Sequence, residues 1–111
     1  MKSLPVLALP EVETDLRTAM AHYGSWRSDG AEHIRQKYVE TIDWIAWNPE
    51  GFPKKYGAIR RAILKRSYYI VYFTIERDHS LVLAVLDGRR APEDIRTLVG
   101  IRRAIRRRPT N

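Results

Sequence analysis

The stretch from Ser67 to Glu76 is apolar on both of the faces that a β-strand presents. Successive side chains of a strand point to opposite sides, and here both sides receive aromatic or β-branched residues. One face carries Tyr69, Val71, Phe73 and Ile75, and the other carries Tyr68, Ile70, Tyr72 and Thr74. A strand of this composition is usually central, with its two faces covered. We therefore predict that it lies in the middle of a sheet around which the rest of the chain is organised.

Two further strand-like runs flank this stretch, and short polar breaks separate the three. The first run spans residues 58–66 and the last spans 80–90, with turns expected at Arg66-Ser67 and at 77–79. This arrangement predicts two consecutive hairpins. The last run ends in Asp87-Gly88-Arg89-Arg90, where two adjacent guanidinium groups follow a glycine. They offer paired forks for a phosphate or a carboxylate, beside a backbone that a partner can approach.

The N-terminal half predicts one strand and two helices. Residues 4–9 form a short apolar run, in which Pro5 favours an edge strand or a strand that begins after it. Helical spacing of apolar residues marks a first helix at Val12, Leu16, Ala19, Met20 and Tyr23, and a second at Ala31, Ile34, Tyr38, Ile42 and Ile45. Asp29-Gly30-Ala31-Glu32 has the form of an acidic capping box at the start of the second helix. The short connection predicts an antiparallel helical hairpin.

Trp44 and Trp47 lie off the apolar stripe, in the last turn of the second helix. The simpler interpretation is that the sheet covers this turn, and the alternative is an exposed patch that binds a partner.

A third helix is predicted after Arg90, beginning near Pro92. Its buried side is predicted to comprise Ile95, Leu98, Val99, Ile101 and Ile105, while arginines crowd the remainder. The arginine-rich tail of residues 106–111 is expected to be frayed, because a block of like charge repels itself. The order strand, helix, helix, strand, strand, strand, helix predicts one α+β domain over residues 1–111, with helices packed against one face of a mainly antiparallel sheet.

Charge is distributed unevenly along the chain. Residues 1–50 contain five basic and eight acidic residues, a net −3, whereas residues 51–111 contain 15 basic and five acidic residues, a net +10. A basic half of this size favours an anionic partner, either a nucleic acid, an acidic protein or a membrane surface. The simpler alternative is a solvated face that keeps the protein soluble.

Several kinds of site and location are not expected from the composition. The chain has no cysteine, and its three histidines lack the spacing of a metal motif, so we expect neither disulfides nor a metal. No apolar run approaches the roughly 20 residues of a membrane span, and no signal peptide is recognisable. We expect a cytoplasmic protein without a membrane partner or a cofactor.

Three pieces of the sequence, in their order and spacing, resemble the RelE/ParE superfamily of toxins from type II toxin-antitoxin systems. They are the helix around Leu16, the strand Ser67-Tyr68-Tyr69-Ile70-Val71-Tyr72, and the segment Val85-Leu86-Asp87-Gly88-Arg89-Arg90-Ala91-Pro92. The resemblance covers roughly residues 6–96. It implies the α+β fold of that superfamily and a cognate acidic antitoxin as partner.

Two activities are known within this superfamily. RelE-like members cleave messenger RNA on the ribosome, whereas ParE-like members inhibit DNA gyrase without a recognised catalytic site. The Gly88-Arg89-Arg90 ending is similar to the ParE-like branch. The middle-strand arginine of RelE-like enzymes aligns with Tyr69 and their terminal tyrosine with Arg96, while Arg90 matches the arginine after their final strand. The resemblance therefore implies a toxin that acts by binding.

Three functions follow in order of preference: a ParE-like gyrase inhibitor, a RelE-like ribosome-dependent messenger RNA endoribonuclease, and a basic nucleic-acid-binding module. No catalytic residue is assigned, because Tyr68 is more simply a packed strand residue and His79 a turn residue. Target binding is assigned to six cations, Arg61, Lys65, Arg66, Arg89, Arg90 and Arg96. Antitoxin binding is assigned to Trp44, Trp47, Arg89 and Arg90.

Overall fold

A computed structural model describes residues 3–106 of the chain, and its nine elements confirm the predicted α+β class and element order. The strands are β1 (Val6–Ala8), β2 (Lys54–Tyr56), β3 (Ile59–Ile63), β4 (Tyr69–Ile75) and β5 (Ser80–Asp87). The helices are α1 (Glu11–Gly24), α2 (Gly30–Trp47) and α3 (Pro92–Arg106), with a short 3-10 helix at Pro49–Gly51. The sequence did not predict β2 or the 3-10 helix. Residues 107–111 of the tail predicted to be frayed lie outside the described residues.

The five strands form one mixed sheet in the order β1-β5-β4-β3-β2. The central position predicted for β4 is confirmed, since it pairs antiparallel with both β3 and β5. The strand β1 pairs parallel with β5 at the sheet edge and begins directly after Pro5, as the proline predicts. Arg66 turns the chain between β3 and β4 with a φ of 59°, in the left-handed region.

Each face of the sheet carries its own core. On one face, Val71 and Phe73 of β4 pack with Val12, Ile34 and Ile45 of the helical hairpin. On the other face, Ile70 and Tyr72 of β4 pack with Ile95 and Val99 of α3. The predicted packing of the helical hairpin on one face is confirmed, whereas the broader expectation that all helices share this face is wrong for α3. The reason is the composition of β4, because a strand that is apolar on both faces has to be covered on both.

The helices α1 and α2 form the predicted antiparallel hairpin. They approach closely where the chain turns, since a Cβ added to Gly30 would lie 2.0 Å from the carbonyl oxygen of Tyr23. The predicted capping box does not form, because the Asp29 carboxylate does not cap α2. It binds Arg27 instead, with distances of 2.6 Å from Nε to Oδ1 and 2.9 Å from Nη2 to Oδ2. Hydrogen bonding from this guanidinium lowers the pKa of Asp29 to about 2.

The buried face of α3 is narrower than the sequence predicts. Ile95 and Val99 are buried, whereas Ile101 and Ile105 are exposed, contrary to prediction. The third position of the buried face, seven residues after Ile95, is occupied by Arg102. No helix within residues 3–106 combines the length and the apolar character that crossing a membrane requires.

Candidate functional site

Trp44 and Trp47 form an exposed aromatic pair at the end of α2. Their side chains are 56% and 51% exposed, and their rings meet edge to face with centroids 5.7 Å apart. The interpretation that the sheet covers this turn is wrong. The helix meets the sheet through the face that contains Ile45, which leaves both indoles on the solvent side. Exposed neighbouring tryptophans are unusual on a monomer surface and typical of a binding site.

An apolar cleft of about 230 Å³ lies beside Trp44, between α2 and β3. We call it the tryptophan cleft, and its lining residues are Lys37, Glu40, Thr41, Trp44, Phe52, Ile63 and Lys65. Phe52 anchors the cleft to the core, because its ring packs edge to face on Phe73 with centroids 5.8 Å apart. Ile63 at the end of β3 is 56% exposed and forms part of the wall. Two ammonium groups lie on this surface, so the apolar cleft has a basic rim.

The accessible surface continues from Trp44 across Trp47. One adjoining cavity of about 430 Å³ is lined by Asp43 and both tryptophans, and another of about 160 Å³ extends to Phe52. Lys37 forms an ion pair with Glu40 at 3.4 Å, whereas the exposed Lys65 forms none within residues 3–106. The tryptophan cleft itself therefore combines apolar area with one uncompensated positive charge, and its continuation adds the carboxylate of Asp43.

Arg89 is held by its own chain at the end of β5. The Asp87 carboxylate accepts hydrogen bonds from the backbone N–H, Nε and Nη2 of Arg89, at 2.9, 3.1 and 2.8 Å. These bonds lower the pKa of Asp87 and raise that of Arg89. The guanidinium also lies 4.0 Å above the ring of Tyr68. Arg89 is thus oriented by Asp87 and Tyr68, and its guanidinium is not free to bind an anion in a two-point manner.

The backbone at Gly88 is likewise engaged by contacts within the protein. Its N–H donates to the carbonyl oxygen of Tyr68 at 2.6 Å, and a Cβ at this position would lie 2.6 Å from Cδ1 of Ile70. Gly88 is therefore packed closely against its own chain, which differs from the expectation of a backbone open to a partner.

Arg90 differs from its neighbour. Its backbone N–H donates to the carbonyl oxygen of Asp87 at 3.2 Å, but its guanidinium forms no hydrogen bond or ion pair with the described residues. It borders a small cavity of about 60 Å³ with Asp15, Tyr69 and Asp87. Tyr69 is buried there, its hydroxyl oxygen lies 3.3 Å from Nδ1 of His22, and burial raises its pKa. Tyr69 is therefore neutral at pH 7 and cannot replace a cation. Arg90 is therefore an available cation at this end of the sheet, as are Lys65 and Arg66 in the turn between β3 and β4.

The two residues considered as bases occupy different surroundings. Tyr68 is exposed and precedes β4, so the interpretation as a packed strand residue is wrong. Its ring face is nevertheless occupied by Arg89. His79 lies in the turn between β4 and β5, as predicted, with Nδ1 2.7 Å from Oδ1 of Asp78. Neither residue lies in a cleft beside a second catalytic candidate.

The six cations assigned to target binding are dispersed. Lys65 borders the tryptophan cleft and is followed by the turn residue Arg66, while Arg61 is half-buried in β3 opposite Tyr72. Arg96 lies on α3, on the face of the sheet opposite the helical hairpin.

The two pairs assigned to the antitoxin lie at opposite ends of the hairpin. Trp47 ends α2, whereas Arg89 stacks on Tyr68, whose N–H donates to the hydroxyl of Tyr23 near the end of α1. The 18 residues of α2 separate these ends by roughly 27 Å. A partner that contacts both has to span about that length.

Comparison with solved structures finds the same fold in a chain of the chromosomal ParDE TA system from P. aeruginosa. The TM-score is 0.62 at 17% sequence identity, and the match covers 75% of this chain and 94% of that chain. The chain has a ParE-like fold. This finding confirms the resemblance to the RelE/ParE superfamily at the level of architecture. No protein-family model and no curated protein sequence matches the chain.

Sequence reasoning missed part of the site on this ParE-like fold. Phe52 and Ile63 line the tryptophan cleft but were not singled out as site residues. A signal for Ile63 existed, because it alternates with Ala62 in a strand that was predicted. Phe52 follows the unpredicted 3-10 helix, so its position depends on local structure that the periodicity does not reveal.

Proposed function

We propose that this protein is the toxin of a type II toxin-antitoxin pair, that it inhibits DNA gyrase by binding, and that a cognate acidic antitoxin neutralises it. The ParE-like fold supports the class. The observation that carries the proposal is the tryptophan cleft, since a preformed apolar cleft with exposed aromatic walls and a basic rim is suited to a protein partner.

The antitoxin segment is proposed to fold as it binds. Acidic sequences with scattered apolar residues stay disordered alone and can wrap an extended surface on binding. Its apolar anchors would fill the tryptophan cleft against Trp44 and Ile63, where desolvated aromatic contacts dominate affinity. Its carboxylates would pair with Lys65 on the rim and with Arg90 at the other end of the hairpin. The charge of residues 51–111, a net +10, favours rapid encounter with such a segment.

Inhibition by binding is favoured over RNA cleavage, because the described residues do not bring together the side chains that cleavage needs. Cleavage through a ribose 2′-hydroxyl needs a base, an acid and cations converging on one phosphate. Arg90 borders a cavity on the hairpin side of the sheet, whereas Arg96, at the position of the RelE-like terminal tyrosine, lies on the α3 side. Tyr69 is buried and neutral. The remaining cations suit recognition of an anionic surface.

Induced expression without the antitoxin tests the target. We expect growth arrest with filamentation and DNA damage signalling, loss of supercoiling by purified gyrase, and intact messenger RNA. Arg90→Ala combined with Arg89→Ala should weaken the arrest, while Tyr68→Phe should change it little. Messenger RNA ends mapped within minutes of induction provide the opposing outcome: codon-phased cleavage that is lost in Tyr68→Phe or His79→Ala would establish the ribonuclease instead.

A further inference from the structure

A second open pocket lies on the other face of the sheet, between α3 and the β2–β3 hairpin. It encloses about 380 Å³ and is lined by Tyr56, Ile59, Arg96, Gly100, Arg103 and Ala104. Its volume is in the range of sites that take small organic ligands. We call it the α3 pocket. It lies away from the tryptophan cleft and from Arg90, so antitoxin binding as proposed above does not use it.

The α3 pocket is strongly positive. Arg96 and Arg103 are seven residues apart on α3, two helical turns along one face, and none of the six lining residues is acidic. The Nε atom of Arg103 is buried and donates to no acceptor within the described chain. A buried donor without an acceptor is costly, and two guanidinium forks facing one space repel each other. The repulsion between the two guanidinium groups is removed when a multiply charged anion binds between them.

Gly100 lies between the two arginines on the pocket wall, and packing within the protein does not require a glycine there. A Cβ at this position would meet no heavy atom within 4 Å, apart from its own helix backbone. Glycine in a helix interior is otherwise unfavourable relative to alanine. The missing side chain leaves the helix backbone open to the pocket. A ligand that approaches this backbone closely would explain why a glycine is found here.

The opposite wall of the α3 pocket is aromatic and apolar. Tyr56 is half-buried, with its ring tilted 33° to that of Tyr72 at a centroid distance of 6.2 Å. Ile59 is buried beside it. The ammonium of Lys55 lies 5.8 Å from the centre of the Tyr56 ring and adds a third positive charge near this wall. The pocket therefore offers a planar apolar surface on one side and cations on the other.

We propose that the α3 pocket binds a nucleoside phosphate, with the base against Tyr56 and Ile59 and the phosphates on Arg96 and Arg103. A single carboxylate would leave most of the positive charge uncompensated, whereas a di- or triphosphate matches it. Inorganic polyphosphate would leave the aromatic wall unused. A free nucleotide and one unit of a single-stranded nucleic acid share this chemistry, and the experiment distinguishes them.

Calorimetric titration of the purified full-length protein tests the site with four probes: ATP, inorganic tripolyphosphate, adenosine and single-stranded hexaadenylate. We expect ATP to bind, tripolyphosphate to bind more weakly and adenosine not to bind measurably. Arg103→Gln and Arg96→Gln should each weaken ATP binding by about tenfold. Arg17→Gln, which removes an exposed charge of α1 on the other face of the sheet, is the matched control and should bind as the wild type does.

Gly100→Ala separates binding from folding. The substitution should raise the melting temperature by about 4 °C, because alanine favours the helix, and should weaken ATP binding several-fold, because its methyl group enters the pocket. Unchanged ATP affinity in this variant would contradict the close approach to the helix backbone.

Three results would overturn the proposal. They are no binding of ATP or hexaadenylate at millimolar concentration, an affinity for tripolyphosphate equal to that for ATP, and equal effects of Arg103→Gln and Arg17→Gln. Binding of hexaadenylate but not ATP would support the site and assign the nucleotide to a nucleic acid strand. Because titration is independent of growth inhibition, failure here leaves the proposed toxin activity untouched.

Discussion

Arg102 of α3 and Asp15 of α1 form a two-point ion pair across the outer edge of β5. The distances are 2.5 Å from Nη1 to Oδ2 and 3.0 Å from Nη2 to Oδ1, and both side chains are largely buried. The Asp15 carboxylate also accepts the backbone N–H of Val85 at 2.9 Å, while Nη1 of Arg102 donates to the carbonyl of Leu83 at 2.9 Å. The short β1 pairs only with residues 80–82, so this ion pair completes the edge that β1 leaves open.

Removal of Arg102 should be strongly destabilising. Arg102→Ala leaves the Asp15 carboxylate buried without its cation and should lower the free energy of unfolding by about 3–5 kcal/mol. Urea denaturation of Arg102→Ala, Asp15→Ala and the double variant measures the coupling. We expect the double variant to lose much less than the sum of the single losses. Additive losses would show that the ion pair does not couple α1 to α3.

The central position of β4 predicts that a buried charge is far more destabilising in β4 than at the exposed end of the neighbouring strand β3. Val71 is completely buried between two strands and beneath the helical hairpin, so Val71→Asp should cost several kcal/mol and unfold a domain of ordinary stability. Ile63→Asp is the matched control, because Ile63 is exposed at the end of β3 and its change should cost little. Circular dichroism melts check both. A soluble Val71→Asp protein with unchanged melting would remove β4 from the core.

The properties of β4 also show how far the sequence carries the fold. Its doubly apolar pattern predicts a central strand correctly, and the same pattern explains why α3 covers the second face. The sequence does not predict which face of α3 is buried against the sheet. Arg102 belongs to this buried face because it pairs with Asp15, 87 residues earlier in the chain. Helical periodicity treats an arginine as solvent-exposed and therefore assigns Ile101 and Ile105 to the buried side. Long-range ion pairs of this kind leave no local signal.

The site shows the same limit at shorter range. The exposed tryptophans were identified as unusual, but whether the sheet covers them depends on the rotation of α2, which Ile45 fixes through tertiary contacts. The capping box failed for a local reason, since Arg27 lies two residues before Asp29 and competes for its carboxylate. Residue spacing alone does not show whether the Asp29 carboxylate binds the N-terminus of α2 or Arg27, because the three-dimensional geometry decides between them.

Antitoxin binding should depend on the tryptophan pair with little change in stability. Trp44→Ala with Trp47→Ala removes large exposed aromatic surfaces, so binding should weaken by at least about 2 kcal/mol, roughly thirtyfold. Ile101→Ala is the control, because Ile101 is 51% exposed but lies on α3, on the face of the sheet opposite the helical hairpin. Calorimetry with the cognate acidic protein measures the affinity. Equal losses for both variants would argue against the tryptophan cleft as the docking site.

Arg90 should control the rate of antitoxin association, whereas the tryptophans control dissociation. Surface charge steers encounter and is screened by salt, so Arg90→Glu should slow association at low ionic strength and have little effect near 0.5 M salt. Arg89 is a less suitable probe, because Arg89→Glu would also place a second carboxylate beside Asp87 and disturb the turn. Arg77→Glu supplies the control: it makes the same charge change in the turn at the opposite end of β5. Stopped-flow association rates for the two variants decide the matter. A decrease that is equal in both would assign the effect to net charge alone and would remove Arg90 from the interface.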